Sequence, residues 1–317
     1  MKRLAVFGVV VCAFSMASAA ETNIEAPGPH GPLMGTLLSA LAQPAPVILI
    51  IPGSGPTDRD GNNMLGIKAS SYRLLAEGLA EHGISSVRID KRGMFASAAA
   101  VADANAVTIA DYVTDVRAWI GVIRQRTDAQ CVWLLGHSEG GLVALAAAQD
   151  PRDICGLVLV ATPGRPLADV MREQLKSNPA NAPILDQALA AIDALAAGKT
   201  VDATQLNPVL LPLFHPKVQK FLIDVFSYDP AALLAHYQGP VLILQGRRDI
   251  QVSERDARLL AAANTKATLV MLPDVNHVLK SVASDDRAAN LATYANAGLP
   301  LATGVVDAIA PFVKAAR

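Results

Sequence analysis

Residues 136–141 of the chain read Gly-His-Ser-Glu-Gly-Gly, and they stand between an apolar run at 132–135 and a helix-forming stretch at 142–149. This order is typical of a nucleophile elbow, a sharp turn from a strand into a helix with Ser138 at its apex in a strained backbone conformation. The strand and the helix pass so close there that only small residues fit two positions before and two after the serine. Gly136 and Gly140 occupy those positions. The pattern is short, so its meaning depends on the flanking strand and helix, and the sequence predicts both.

The composition is that of a globular protein. The chain has 317 residues, 52% hydrophobic and 17% charged, which suits one large α/β domain or a domain that carries an insertion. The formal net charge is −1, and Lys and Arg form no block that would attract nucleic acid. The sequence has neither a His-Glu-x-x-His motif nor clustered Cys and His residues. We therefore expect no nucleic-acid partner, no metal and no cofactor.

The N-terminus has the three regions of a secretory signal peptide. Met1-Lys2-Arg3 precede an uncharged apolar run at about 4–16, and small residues follow at 17–20. We predict a signal peptide at 1–20 with cleavage after Ala19 or Ala20, and a periplasmic or secreted product with no stable membrane insertion. A retained membrane anchor is the alternative, although the apolar run is short for a membrane span.

Two cysteines, Cys131 and Cys155, lie beyond the predicted signal peptide. Each stands just before a predicted strand, so the two side chains would start level with each other if those strands were neighbours. A disulfide between them is possible in an oxidising compartment, and two buried free thiols are the alternative.

Apolar runs alternate with helical periodicity along most of the chain, which predicts a mostly parallel sheet with helices on both faces. An antiparallel hairpin is expected before the first buried strand, with its edge strand at 35–38. The other predicted strands are 46–51, 85–90, 132–135, 156–161, 240–246 and 267–272, and the main predicted helices are 69–81, 108–125, 142–149, 253–262 and 305–316.

The alternation stops at residues 163–238, where helical segments and prolines occur without a buried strand. We predict a helical cap inserted into a core formed by residues 21–162 and 239–317. Six apolar cap residues are candidates either for an acyl pocket or for the cap's own small core: Leu210, Leu211, Leu213, Phe214, Phe221 and Phe226.

A serine hydroxyl is a poor nucleophile unless a base and a carboxylate activate it. His277 follows the last sheet strand and Asp249 follows the strand before it, so loops at the carboxyl edge of the sheet could bring both to Ser138. The chain order Ser138, Asp249, His277 is the order expected for this fold. Asp274 is an alternative carboxylate, although it is close in sequence to His277. His137 is adjacent to Ser138, and we expect its side chain to diverge from the serine.

The oxyanion of a tetrahedral intermediate needs backbone N–H donors. We expect one from Glu139 at the start of the helix, where the dipole also favours negative charge. The second should come from Gly53 or Ser54, in the loop after the strand that ends at Ile51.

Taken together, these motifs resemble those of the α/β hydrolases, and more narrowly of bacterial esterases related to proline iminopeptidases and dienelactone hydrolases. The residues that carry the resemblance are 53–60, 90–93, 136–141, 162–167, 246–249 and 276–277. The resemblance implies an α/β-hydrolase fold with an inserted cap and a Ser138, Asp249, His277 triad. The chain departs from the family pattern at Pro52, where His is common, and at Phe95, where a second Gly is usual. Residues 58–60 are expected to form an ion-pair network that supports the oxyanion loop.

The sequence therefore predicts a serine hydrolase, foremost a carboxylesterase acting on small-molecule esters of short to medium acyl chain. A serine aminopeptidase is the second hypothesis. It would need a carboxylate that binds the substrate's amine, for which Glu173 and Asp224 are the cap's candidates. A non-catalytic binding protein on the same fold is the third.

Overall fold

A computed structural model describes residues 20–41 and 44–315 of the chain. The predicted signal peptide lies outside these residues, except for Ala20, which begins the first strand. Eight strands form one sheet: β1 Ala20–Ala26, β2 Leu33–Ser39, β3 Val47–Ile51, β4 Ser85–Ile89, β5 Val132–His137, β6 Ile154–Val160, β7 Val241–Gly246 and β8 Thr268–Leu272.

The strands follow one another across the sheet in the order β1-β2-β4-β3-β5-β6-β7-β8. β1 pairs antiparallel with β2, and β2 antiparallel with β4, whereas β4, β3, β5, β6, β7 and β8 run parallel. The predicted mostly parallel sheet and the N-terminal hairpin are therefore confirmed. The carboxyl ends of β3, β5, β7 and β8 consequently meet at one edge of the sheet.

The prediction of an edge strand at 35–38 is wrong, because β2 lies between β1 and β4 and the edge strand is β1. β1 escaped detection because only Ile24 and Ala26 among its seven residues are buried. A strand that exposes most of its side chains carries little hydrophobic signal.

The helices cover both faces of the sheet. α1 and α11 pack on one face against the even-numbered residues of β3, and α2 and α3 pack on the other face. The α-helices are α1 Ser71–Glu81, α2 Ile109–Thr127, α3 Glu139–Ala147, α4 Leu167–Ser177, α5 Leu185–Ala196, α6 Leu211–Phe214, α7 Pro216–Phe226, α8 Pro230–His236, α9 Glu254–Ala263, α10 Arg287–Ala292 and α11 Val305–Ala315. None of the helices within the described residues is long and apolar enough to cross a membrane.

Only helices occur between β6 and β7, namely α4 to α8 and three short 3-10 helices. Leu210, Phe214 and Phe226 are buried in the packing of this segment, and Phe221 packs edge-to-face on Tyr112 of α2. Leu213 is 42% exposed. Leu210, Phe214, Phe221 and Phe226 thus form the segment's own packing and its contact with α2, so for these four the structure favours a small core over an acyl pocket.

Cys131 and Cys155 form a disulfide. Cys131 precedes β5, and Cys155 is the second residue of β6 and not the residue before it. The register shifts between Val132 and Trp133, so that Cys155 is the extra residue of β6 at this point, and the Cα atoms of the two cysteines are 5.2 Å apart. The bond closes a loop of 24 residues that contains the elbow and α3.

Replacement of both cysteines by alanine is expected to lower the free energy of unfolding by about 3 kcal/mol, because the unfolded chain regains the entropy that the closed loop removes. Urea unfolding of the protein produced in an oxidising compartment measures this difference. Addition of reductant should destabilise the wild type and leave the double variant unchanged. Equal stability of the two proteins without reductant would contradict the expectation.

Candidate active site

Ser138 lies at the apex of the turn between β5 and α3, with φ 54° and ψ −123°. A non-glycine residue at positive φ is strained and persists only where the surroundings enforce it. A Cβ added to Gly136 would lie 2.2 Å from the carbonyl oxygen of Gly140, and one added to Gly140 would lie 2.2 Å from that of Ile51. Both contacts are impossible, so glycine is required two positions before and two after the serine, as the elbow predicts.

His277 and Asp249 form a hydrogen-bonded pair at the same edge of the sheet. The His277 Nδ1 and Asp249 Oδ2 atoms are 2.7 Å apart, and both side chains are buried. Asp249 Oδ1 also accepts hydrogen bonds from the backbone N–H groups of Gln251 and Val252, at 2.7 and 2.9 Å. These donors fix the carboxylate, which leaves its other oxygen to orient the imidazole.

Asp274, the alternative carboxylate, does not take this place. Its side chain is 63% exposed and pairs with Arg248, with an N···O distance of 3.9 Å. The geometry therefore favours Asp249 as the partner of His277.

The loop that carries His277 is fixed by Asn276, a residue for which the sequence predicted no role. The buried Asn276 side chain donates to Asn290 Oδ1 and Thr293 Oγ1, and it accepts from the backbone N–H of Lys280. A buried amide with these three bonds cannot rotate, so it holds the adjacent His277 at the sheet edge. No pattern in the sequence pointed to Asn290 or Thr293.

Ser138 and His277 line one cavity of about 80 Å³. The other residues around it are Gly53, Ser54, Thr57, Gly61, Asn63, Ile67, Ser71, Tyr72, His137, Gln251 and Val278. The Ser138 hydroxyl has no hydrogen-bond partner among residues 20–41 and 44–315. Ser138 and His277 thus line the same cavity without a direct hydrogen bond, and such bonds often tighten only when substrate binds.

His137 does diverge from Ser138, but it has a place of its own in the site. Its Nε2 lies 2.8 Å from the carbonyl oxygen of His277, and its Nδ1 lies 2.9 Å from the hydroxyl of Tyr72. A carbonyl oxygen only accepts, so Nε2 must carry the proton. Burial lowers the pKa of His137 to about 3, so the ring is neutral and Nδ1 accepts from Tyr72. The sequence placed Tyr72 on an apolar helix face, yet a buried tyrosine hydroxyl usually needs a partner, which was the available signal.

The oxyanion loop after β3 differs from the expectation in one respect. The Gly53 N–H donates to the Tyr72 hydroxyl at 3.1 Å. Of the two residues predicted as donors, Gly53 thus has an acceptor for its N–H already, which favours Ser54. Ser54, which lines the cavity, offers an N–H without an acceptor in the described part of the chain. The N–H of Glu139 at the start of α3 has no acceptor within the helix.

The charged residues 58–60 do not pair with each other. Arg59 and Asp60 form ion pairs with residues of β4 and the residue that follows it. Arg59 donates to Asp90 through its backbone N–H, Nε and Nη2, at 2.9, 3.0 and 2.6 Å. Asp60 pairs with the buried Arg88. Asp58 accepts backbone N–H bonds from Asp60 and Asn62 and so closes a turn. The loop is thereby tied to the end of β4.

A family model described as serine aminopeptidase, S33, matches residues 65–280, about two thirds of the chain. The matched region contains the elbow and the His277–Asp249 pair. The chain belongs to this family of α/β hydrolases.

One curated relative is the esterase EstD of Thermotoga maritima, which is 27% identical over 245 residues. The alignment covers 75% of this chain and 55% of EstD, so the chain spans about half the length of that relative.

Two solved structures show the same fold. A bromoperoxidase from Bacillus anthracis is 19% identical with a TM-score of 0.54, over 92% of this chain and 100% of the other. The ferulic acid complex of Est1E from Butyrivibrio proteoclasticus is 18% identical with a TM-score of 0.54, over 85% and 94% of the two chains.

The two departures from the family pattern have structural counterparts. Pro52 is buried at the end of β3, and as a proline it has no N–H to donate. Phe95 has φ 46° and is 39% exposed. This is the left-handed region that glycine adopts without strain, which explains the family's preference for glycine at this position.

Replacement of His137 by glutamine should flatten the pH dependence of stability. The unfolded histidine, with an ordinary pKa of 6.5, binds a proton below that pH, whereas the folded one stays neutral down to about pH 3. The unfolded state therefore gains protons, and the fold loses stability, as the pH falls through this window. Between pH 7 and pH 5 the wild type should lose about 2 kcal/mol more than the variant.

Urea unfolding at the two pH values measures this difference. His82→Gln, which changes an exposed histidine, serves as the control and should retain the wild-type pH dependence. Equal losses in the wild type and in His137→Gln would show that His137 does not contribute.

Proposed function

We propose that the chain is a serine esterase that hydrolyses small carboxylic esters of short to medium acyl chain through an acyl-enzyme. The observation that carries the proposal is the 2.7 Å hydrogen bond between Asp249 and His277, because His277 lines the same cavity as the strained Ser138. Family membership and the similarity to EstD support the same reading.

In this mechanism His277 Nε2 takes the proton of Ser138 while Oγ attacks the ester carbonyl carbon. The proton then passes from His277 to the alkoxy oxygen, the C–O bond breaks and the alcohol leaves. Water, activated by His277, attacks the acyl-enzyme and releases the acid and the free serine. Asp249 keeps the imidazole oriented and stabilises its charged form, and no metal takes part in these steps.

The negative charge of the tetrahedral intermediate would lie against the N–H groups of Ser54 and Glu139. The Glu139 group stands at the N-terminus of α3, where the helix dipole adds to the attraction. A Cβ on Gly53 would be 3.2 Å from Ser138 Cβ, so the oxyanion loop passes directly beside the predicted nucleophile.

The lining of the cavity favours the short end of the acyl range. Ile67 and Val278 supply its aliphatic surface, whereas none of the six apolar cap residues lines it. These two side chains can cover an acyl chain of a few carbons, and a longer chain would extend beyond them.

The aminopeptidase named by the family model is the second candidate. It needs a carboxylate free to bind the substrate's amine, but Glu173 pairs with Arg165 at 2.5 Å and Asp224 accepts from the backbone N–H of Ile109 at 2.7 Å. No Asp or Glu is among the described residues that line the cavity at Ser138. The ester reading is therefore preferred.

We also propose that the protein works outside the cytoplasm. The segment at 1–20 has the pattern of a signal peptide, and the Cys131–Cys155 disulfide is a bond that persists in oxidising compartments.

A fluorophosphonate probe should label the wild type at Ser138, because an activated serine hydroxyl attacks the phosphorus. Ser138→Ala should not be labelled, and His277→Ala should be labelled at least about a hundred times more slowly without its base. Mass spectrometry of the labelled peptide locates the adduct. A wild type that stays unlabelled, or labelling that survives in Ser138→Ala, would refute the proposed serine esterase and favour a non-catalytic binding protein.

A series of nitrophenyl esters from acetate to palmitate should give the highest kcat/KM at acetate to butyrate, with a fall of at least about tenfold by octanoate, since longer chains extend beyond the aliphatic surface of Ile67 and Val278. Aminoacyl nitroanilides, assayed in parallel, should be turned over at least about a hundred times more slowly than acetate esters. Faster turnover of the anilides would replace the esterase by the aminopeptidase.

A further inference from the structure

Lys91 is a buried lysine that the mechanism so far leaves without a task. It follows β4 by two residues, and only 5% of it is exposed. Its Nζ donates to the carbonyl oxygen of Gly53 at 2.8 Å and lies 3.5 Å from Glu139 Oε1. The same ammonium stands 5.4 Å above the centre of the Tyr112 ring. Gly53 and Glu139 belong to the two segments that meet at Ser138, the loop after β3 and the start of α3.

The bond to Gly53 fixes the direction of the next N–H. In a trans peptide the C=O of one residue and the N–H of the following residue lie in one plane and point in opposite directions. When Lys91 holds the Gly53 carbonyl, the N–H of Ser54 must point the other way. That N–H is the group with no acceptor elsewhere in the described chain, and Ser54 lines the cavity.

The other side of Gly53 is held as well. Its own N–H is bound by Tyr72, so both peptide units of this residue have a side-chain partner. A glycine without such partners would have wide backbone freedom. Tyr72 and Lys91 therefore act as two fixed points that leave one donor of this loop, the Ser54 N–H, to face the reacting carbonyl beside the N–H of Glu139.

A buried ammonium is costly, and a methionine of similar shape would pack here at less expense. Glu139 makes the charge tolerable: its carboxylate is 2% exposed and lies beside Lys91. Its Oε2 is buried without a hydrogen-bond partner, so the pair is not optimised for stability alone. Glu139 would thus serve twice, with its side chain against Lys91 and its N–H toward the oxyanion.

We propose that Lys91, supported by the Glu139 carboxylate, is a positioning residue of the oxyanion hole that aims the Ser54 N–H at the tetrahedral intermediate. The inference rests on the proposed esterase function. Lys91 touches neither substrate nor Ser138 and acts only through the Gly53–Ser54 peptide.

The test uses Lys91→Met, which keeps the apolar stem and removes the donor. Loss of one oxyanion donor costs about 10²- to 10³-fold in kcat, so misdirection of one should lower kcat about 10- to 100-fold, with KM for nitrophenyl acetate within about threefold of wild type. The affinity for a short trifluoromethyl ketone, which forms an anionic adduct on the serine, should fall by a similar factor. If Lys91 only stabilised the fold, its replacement would not weaken the binding of this anionic adduct while leaving KM unchanged.

Two further variants separate an effect on the orientation of the Ser54 N–H from an effect on the stability of the fold. Arg92→Met breaks the neighbouring buried pair with Asp115, whose atoms are 2.6 Å apart, and this pair does not touch Gly53. It should lower the urea midpoint at least as much as Lys91→Met and keep kcat within about threefold. Glu139→Gln keeps the backbone N–H and an acceptor for Lys91, and it should lower kcat about 3- to 10-fold. It also serves if Lys91→Met does not fold.

The inference is overturned if the Lys91 and Glu139 variants have kcat and ketone affinity within twofold of the wild type, or if only their KM is changed. It is also overturned if Arg92→Met loses as much kcat as Lys91→Met. A wild type without turnover or probe labelling would instead refute the proposed function itself. An active wild type with an unaffected Lys91→Met would refute the positioning role and leave the esterase intact.

Discussion

The close approach of three backbone segments at the end of β3 and β5 is the constraint on which the site depends. Gly136, Gly140 and the carbonyl of Ile51 lie so near to each other that an added Cβ would come within 2.2 Å of a backbone oxygen. This contact forces the chain to turn at once into α3 and keeps Ser138 at φ 54°. It also puts Gly53 against Ser138 and aims the N-terminus of α3 at the same point. The strained Ser138, the loop at Gly53 and the position of the N-terminus of α3 thus share one cause.

The fold and the main side chains of the site could be predicted because their signals are local. Strands buried on both faces give continuous apolar runs such as 47–51, and the close packing at the elbow demands glycines at fixed positions. Chain order and the meeting of parallel strands at one edge then suffice to select His277 and Asp249. The structure adds the hydrogen bond between them and removes Asp274, whose exposure the sequence could not give.

The rest could not be predicted because it depends on pairings between distant residues. β1 is half exposed and has no hydrophobic signature of its own. Tyr72, at an apolar helix position, has its hydroxyl bound to His137, 65 residues away, and Lys91 holds the carbonyl of Gly53, 38 residues away. The Gly53 N–H is occupied only because Tyr72 reaches it. Apolar cap residues look alike in sequence whether they line a pocket or pack together, and here they pack together.

These distant pairings connect the two halves of the site. The Gly53 N–H donates to Tyr72, the Tyr72 hydroxyl donates to His137 Nδ1, and His137 Nε2 donates to the carbonyl of His277. Every group in this series of hydrogen bonds is buried. With the neutral His137 protonated on Nε2, all three bonds have a donor and an acceptor, whereas a second proton on Nδ1 would leave the Tyr72 O–H without its acceptor. The position of the oxyanion loop and that of the base are therefore not independent. Since His137 directly precedes Ser138, the residue that links both lies next to the proposed nucleophile, and so one strained turn sets the mutual distances of Ser138, the Gly53–Ser54 loop and His277.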